Sequence, residues 1–260
     1  MAVVTIDLWH TLIYLPPEDE EAYMAHQLAL GRQVLEEARP LPGAPDLSEE
    51  DLGRAFEQAY VDAVAQSTEG RTVTPAEQLA RAAKATGRDA DPRAYLAKLQ
   101  REVGRTRFRR APGALELLAW LRERGYRVGV ISNTVGEPGS FLRPVLTTMG
   151  FDRYVETYVF SDEHPWTKPS PEIFRFALAR LDGVPAEAVH VGDSWSDLEG
   201  ARRAGFRGAV WFTGLHAYGD SYRKLFLPET PGAPSSDYRT DRLEEVGPII
   251  EQLLPSGGTP

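Results

Sequence analysis

Apolar and polar positions along this chain fall into two regimes, one strand-like and alternating with helices, the other helical throughout. Residues 3–8 (VVTIDL) form a β-branched, mostly apolar run too short for a helix, which predicts a buried strand. Pro16-Pro17 then stops any regular element. From about 18 to 108 the period is helical and no strand is expected. A helix is predicted over about 18–37, with Tyr23, His26, Leu28, Leu30 and Val34 as inner positions. A second follows Ser48, whose hydroxyl can cap it ahead of Asp51. A third opens on Thr74-Pro75-Ala76-Glu77, a capping box with proline at the first helical position, and closes near Gly87. A fourth covers about 91–105. Four helices joined by short polar loops predict a bundle.

After Pro112-Gly113 the pattern alternates. Helices are expected at 113–124 (Leu115, Leu118 and Leu121 inward, Gly125 as terminator), 141–149, 171–181 and 197–204. Strands are expected at 126–132, 157–161, 188–192 and 208–212. Such alternation predicts an α/β fold, a doubly wound parallel sheet with an inserted all-helical cap domain. The division is a core of 1–15 and 109–260 and a four-helix cap of 16–108. Residues 213–242, which hold several Pro, Gly, Ser and Tyr, read as a surface segment. A last helix at 243–254 should pack back on the core, and the PSGGTP tail should fray.

Composition narrows the function. A formal charge of −9 argues against nucleic acid or an anionic membrane as the main partner. No apolar run approaches the length of a membrane span, and MAVVTIDLW lacks the charged start of a signal peptide, so a cytoplasmic protein is expected. With no cysteine, disulfides, thiolate metal sites and cysteine nucleophiles are excluded. A monomer or homodimer is compatible with the length of 260 residues.

Four stretches place chemistry where strands should end: Asp7 in VVTIDLWHTL, Ser132 in VGVISNT, Lys168 in SDEHPWTKPSPEIF, and Asp193 with Asp197 in VHVGDSWSDLEGARRAGF. An open parallel sheet gathers the carboxyl ends of its strands into one crevice, where ligands bind. A carboxylate at Asp7 can attack phosphorus, and an ammonium at Lys168 can offset the repulsion of an incoming anion. The Ser132 hydroxyl and the Asn133 backbone N–H can hold phosphoryl oxygens. Closely spaced carboxylates beside Asp7 call for a cation, and Mg²⁺ favours one or two carboxylates together with water and phosphate. Taken singly, each residue has a plainer role: a turn cap for Asp7 and Ser132, a solvated surface side chain for Lys168.

In their order and residues these stretches resemble the haloacid dehalogenase superfamily, most of whose members are Mg²⁺-dependent phosphatases. The resemblance implies an aspartyl-phosphate on Asp7, with Mg²⁺ held by Asp7, Asp193 and the backbone carbonyl of Trp9. It also implies that Asp197 orients Lys168 or a metal-bound water. A small phosphorylated molecule is the implied substrate. The helical insertion matches in position and character alone.

One position departs from the pattern. Most phosphatases of this superfamily carry an acid/base aspartate two residues after the nucleophile; here it is Trp9. Indole exchanges no proton near neutral pH, and losing a positioned acid costs about 10²–10⁴-fold in rate. His10 is the nearest candidate replacement. Two rivals follow: a haloacid dehalogenase, whose halide leaving group needs no acid, and a phosphate-binding regulatory module with negligible turnover. Asp193 favours phosphate over halide, since a dry cation-free pocket would not keep a second carboxylate so close to Asp7.

Overall fold

The computed structural model describes residues 1–215 and 238–254. Six parallel strands form the central sheet in the order β10-β9-β8-β1-β6-β7. They are β1 Val3–Ile6, β6 Arg127–Ser132, β7 Thr157–Phe160, β8 Ala188–Gly192, β9 Gly208–Phe212 and β10 Arg239–Thr240. After β1 the chain adds β6 and β7 on one side, then returns to add β8 and β9 on the other. The reversal opens a crevice beyond the carboxyl ends of β1, β6 and β8, where such sheets bind ligands.

Side-chain alternation along the buried strands feeds two apolar layers. Val4, Ile6, Val128, Val130, Val189 and Val191 face one layer, completed by α5 (Ala114–Glu123), α6 (Gly139–Thr148) and α9 (Val246–Leu253). Val3, Ile131, Val159 and Ala188 face the other, with α7 (Pro171–Arg180) and α8 (Trp195–Ala204). Thr5 and His190 are polar yet fully buried, and they lie in register on adjacent strands.

Between β2 (Ile13–Tyr14) and β5 (Arg109–Arg110) lie α1 (Pro17–Glu37), α2 (Glu49–Thr68), α3 (Pro75–Thr86) and α4 (Pro92–Arg105). Each packs on its neighbours in the cycle α1–α2–α3–α4–α1. The apolar cluster of the sheet continues into them through Leu30, Val34, Phe56, Leu79 and Leu99. Their caps follow the sequence. Glu77 N donates to Thr74 Oγ1 at 3.3 Å and Thr74 N to Glu77 Oε2 at 2.7 Å, while Gly87 closes α3 with a left-handed φ of 64°. A cap of this kind stabilises a helix by about 1 kcal/mol.

Several expectations need correction. The first strand ends at Ile6 rather than residue 8, because residues 8–13 coil into a tight turn in which Leu12 N and Ile13 N both donate to Leu8 O. The 18–108 stretch is not strand-free: β3 (Arg39–Pro40) pairs antiparallel with β4 (Arg88–Asp89); just outside it, β2 pairs with β5 at the base of the insertion. Two-residue strands carry no periodicity to read. The 213–242 surface segment lies mostly outside the described residues, but its end contributes β10 to the sheet edge. The PSGGTP tail also lies outside them. No helix among the described residues is long and apolar enough to cross a membrane.

Candidate active site

Three sheet strands and the loop before α7 bring the predicted residues together. Asp7 follows β1 directly, and its N–H donates to Val191 O of β8 at 2.8 Å, which fixes the carboxylate at the end of the sheet. Asp193 follows β8, its backbone carbonyl held by Trp211 Nε1 at 2.9 Å. Asp197 stands in the first turn of α8. All are buried, and Asp7, Asp193 and Asp197 each offer a ligand atom within 4.8 Å of the others.

Lys168 reaches into this group from the loop before α7 and is 2% exposed. Its ammonium donates to Asp7 Oδ1, to Asp197 Oδ1 at 2.6 Å and to Ile131 O at 3.1 Å, using its three hydrogens. Asn133 clamps the loop from the other side. Its Nδ2 donates to Lys168 O at 2.9 Å, and its Oδ1 accepts from Lys168 N at 2.8 Å. The Asn133 side chain is thereby committed to positioning Lys168, which leaves its backbone N–H as the group that can meet a phosphate. Ser132, fully buried at the end of β6, adjoins the carbonyl that anchors Lys168.

Charge explains the electrostatics. Burial opposes the charge on Lys168, but Asp197 and Asp7 outweigh it and hold its pKa above the usual lysine range. Burial likewise opposes the charge on Asp197, yet the Lys168 ammonium and the His190 hydrogen bond press its pKa below the carboxylate range. For Asp7 burial wins: against the pull of Lys168, and aided by the charges of Asp197 and Asp193, it lifts the carboxyl well above its ordinary value. Three carboxylates facing one ammonium leave the site short of positive charge. A divalent cation with oxygen preference fits that deficit. Asp197 has little capacity left for it, since Oδ1 accepts from Lys168 and His190 and Oδ2 accepts from Ser194 N at 3.0 Å and Ser194 Oγ at 2.5 Å. Asp7 and Asp193 remain as the side-chain donors.

His10 sits in the turn after β1 with a left-handed φ of 56°, a conformation that costs a non-glycine residue on the order of 1 kcal/mol. Its Nε2 lies 3.4 Å from Glu20 Oε1 in the first turn of α1, so the ring links the turn after Asp7 to the helical insertion. Trp9 packs edge-on against Phe108 at 5.3 Å, and Phe108 edge-on against Tyr23 at 5.7 Å. The insertion also grips both loops of the site. Gln27 Nε2 donates to Glu137 Oε1 at 2.7 Å and Gln78 Nε2 to Val135 O at 2.6 Å, beyond Ser132. Thr72 Oγ1 donates to Ser161 O at 3.0 Å, and Thr167 N to Gly70 O at 3.3 Å, ahead of Lys168.

Sequence reasoning did not single out Thr11, whose buried hydroxyl donates to Asp7 Oδ2 at 3.4 Å, nor Thr5, His190 and Ser194. A polar residue inside an apolar strand was the available signal for Thr5 and His190.

A model of haloacid dehalogenase-like hydrolases matches residues 1–205. The chain belongs to this family. Among curated relatives, a phosphoglycolate phosphatase of Nitrosococcus oceani is 38% identical over 96 residues, 37% of this chain and 41% of that protein. One of Pseudomonas savastanoi pv. phaseolicola is 32% identical over 150 residues, 57% of this chain and 52% of that protein. The chain thus spans about half the length of the curated relatives it matches. Among solved structures, a haloacid dehalogenase family phosphatase of Thermococcus onnurineus aligns over 96% of this chain and 98% of that one, with a TM-score of 0.60 and 22% identity. CbbY of Rhodobacter sphaeroides in complex with phosphate aligns over 95% and 97%, with a TM-score of 0.59 and 20% identity. At these identities the solved structures establish the family's fold for this chain.

Proposed function

We propose that this member of the family is a Mg²⁺-dependent phosphatase acting on a small phosphorylated metabolite through an aspartyl-phosphate on Asp7. The observation that carries the reading is the buried cluster in which Lys168 joins Asp7 to Asp197, with Asp193 alongside. In the first step Asp7 forms a bond to phosphorus as the ester oxygen departs. Lys168, held by Asp197 and Ile131 O, offsets the repulsion between Asp7 and the phosphoryl group. Ser132 Oγ and the Asn133 N–H hold the phosphoryl oxygens. Mg²⁺, bound by Asp7, Asp193 and the Trp9 carbonyl, would neutralise phosphoryl charge. In the second step water attacks phosphorus, the bond from Asp7 to phosphorus breaks, and inorganic phosphate leaves with the water's oxygen and protons while Asp7 returns to its free carboxylate. The helical insertion, which contacts both loops of the site, acts as the cap over the substrate.

The names of the curated relatives make 2-phosphoglycolate the first metabolite to try, with p-nitrophenyl phosphate as a probe whose leaving group needs no proton. Hydrolysis of p-nitrophenyl phosphate that is lost with EDTA and restored by Mg²⁺ is the expected result. Turnover that survives EDTA would overturn the metal assignment, and no turnover of any phosphate ester would overturn the phosphatase reading. Trp9→Asp should raise the rate on alkyl phosphates by about 10-fold or more, within the range a positioned acid supplies. Equal rates before and after would show that another group already supplies the proton.

A further inference from the structure

We infer that Thr5 and His190 are positioning residues that aim Lys168 at Asp7 through Asp197. The kinetic arm of the test below rests on the phosphatase reading; the spectroscopic arm does not.

The two side chains stand on the layer lined by Val3, Ala188, Ile131 and Phe174, where an apolar residue would pack without cost. His190 is fully buried, and Phe174 meets its ring edge-on at 5.0 Å. A buried imidazole is tolerated only when both nitrogens are satisfied. Here His190 Nε2 lies 3.0 Å from Asp197 Oδ1 and Nδ1 lies 2.8 Å from Thr5 Oγ1.

The direction of these bonds follows from what each group can do. Ionised Asp197 only accepts, so Nε2 carries the hydrogen. Burial holds the ring neutral, so Nδ1 is bare and accepts from the Thr5 hydroxyl. Thr5 therefore fixes both the tautomer and the tilt of the ring, as outer-shell partners fix histidines elsewhere. The row reads Thr5 to His190 to Asp197, with Lys168 donating to the same carboxylate oxygen from the other side.

The row matters because Asp197 must be still before Lys168 can be. Ser194 N and Oγ pin Oδ2 from the start of α8, while His190 pins Oδ1 from β8, so both carboxylate oxygens are held. Gly192 makes the approach possible, since a Cβ there would lie 2.3 Å from the Asp197 carboxyl carbon. Without His190, Oδ1 is held by the flexible lysine alone, and the ammonium loses a fixed rest on the side away from Asp7.

Three variants and one spectrum test this. Thr5→Val with His190→Leu removes both polar groups together and should keep the melting temperature at or above that of the unaltered protein. The same variant should lose about 10-fold in kcat on p-nitrophenyl phosphate, with KM moving less than twofold, because misplacing a catalytic group costs rate before binding. His190→Gln, whose amide can donate to Asp197 from a similar reach, should recover most of that loss. Thr5→Val alone should show a smaller loss in kcat. An unchanged kcat in the double variant, or a His190→Gln enzyme no faster than it, would overturn the assignment. Independently of turnover, ¹⁵N spectra of the five histidines should contain one signal, absent in His190→Gln, from a neutral ring protonated on Nε2. A ring protonated on Nδ1 would overturn it even if no phosphate ester proves to be a substrate.

Discussion

Asp7→Asn is expected to lower kcat on p-nitrophenyl phosphate by at least about 10³-fold while the protein melts at or above its usual temperature, since removing a member of a covalent catalytic unit costs on this scale. The amide has the shape of the carboxylate but cannot form the ester to phosphorus. Stability should hold because the substitution removes a charge that the folded state resists. Burial and the neighbouring carboxylates already lift the Asp7 pKa well above its ordinary value, although Lys168 opposes them. Lys168 retains Asp197 and Ile131 O as acceptors in the variant. Phosphate release with a melting curve on the same preparation checks both halves. Turnover within tenfold of the unaltered protein would take Asp7 out of the mechanism.

The core was legible because its signals are long or paired. β6 and β8 are apolar runs flanked by turn residues, and Thr74 with Glu77 announces the start of α3 before any fold is assumed. Asp7 and Asp193 were legible because each directly follows a strand, and a doubly wound sheet gathers such ends; Lys168, in the loop before α7, and Asp197, in the first turn of α8, were legible from the stretches around them. What sequence could not supply was the second contact of each residue. Asn133 was expected to offer its backbone N–H to a phosphate; the second task of its side-chain amide, holding the backbone of Lys168 35 positions away, had no signal in the sequence. Asp197 was expected either to hold the lysine or to assist the metal. Its crowded hydrogen bonding, which brings Lys168, His190 and Ser194 onto one carboxylate, favours the lysine, and sequence spacing does not announce those partners. His10 is the nearest candidate to replace the missing acid by adjacency and imidazole chemistry; its contact with the helical insertion had no signal in the sequence. The His10 backbone is left-handed, and its ring lies against Glu20 of α1.

Lys168→Met is expected to have the second large effect, on stability as well as rate. The methionine fills the volume of the lysine stem but leaves Asp7, Asp193 and Asp197 without their ammonium. Removing one partner of a buried ion pair costs about 3 kcal/mol or more, because the remaining charge stays uncompensated. In EDTA the deficit should grow as pH rises. Asp7 in the folded protein keeps its proton above the ordinary 3.8 at which the unfolded chain releases it, and losing Lys168 moves the folded value further up. Such a raised carboxyl contributes stability below the unfolded value, and that contribution is lost progressively with rising pH. Mg²⁺ should therefore raise the melting temperature more in Lys168→Met than in the unaltered protein, since the cation supplies charge that the lysine no longer does. Turnover should stay low even with the metal bound, because the cation replaces the charge but not the ammonium's hydrogen bond to Asp7. A variant that melts normally in EDTA at neutral pH would show that the carboxylates do not depend on Lys168, and the electrostatic account of the site would fail with it.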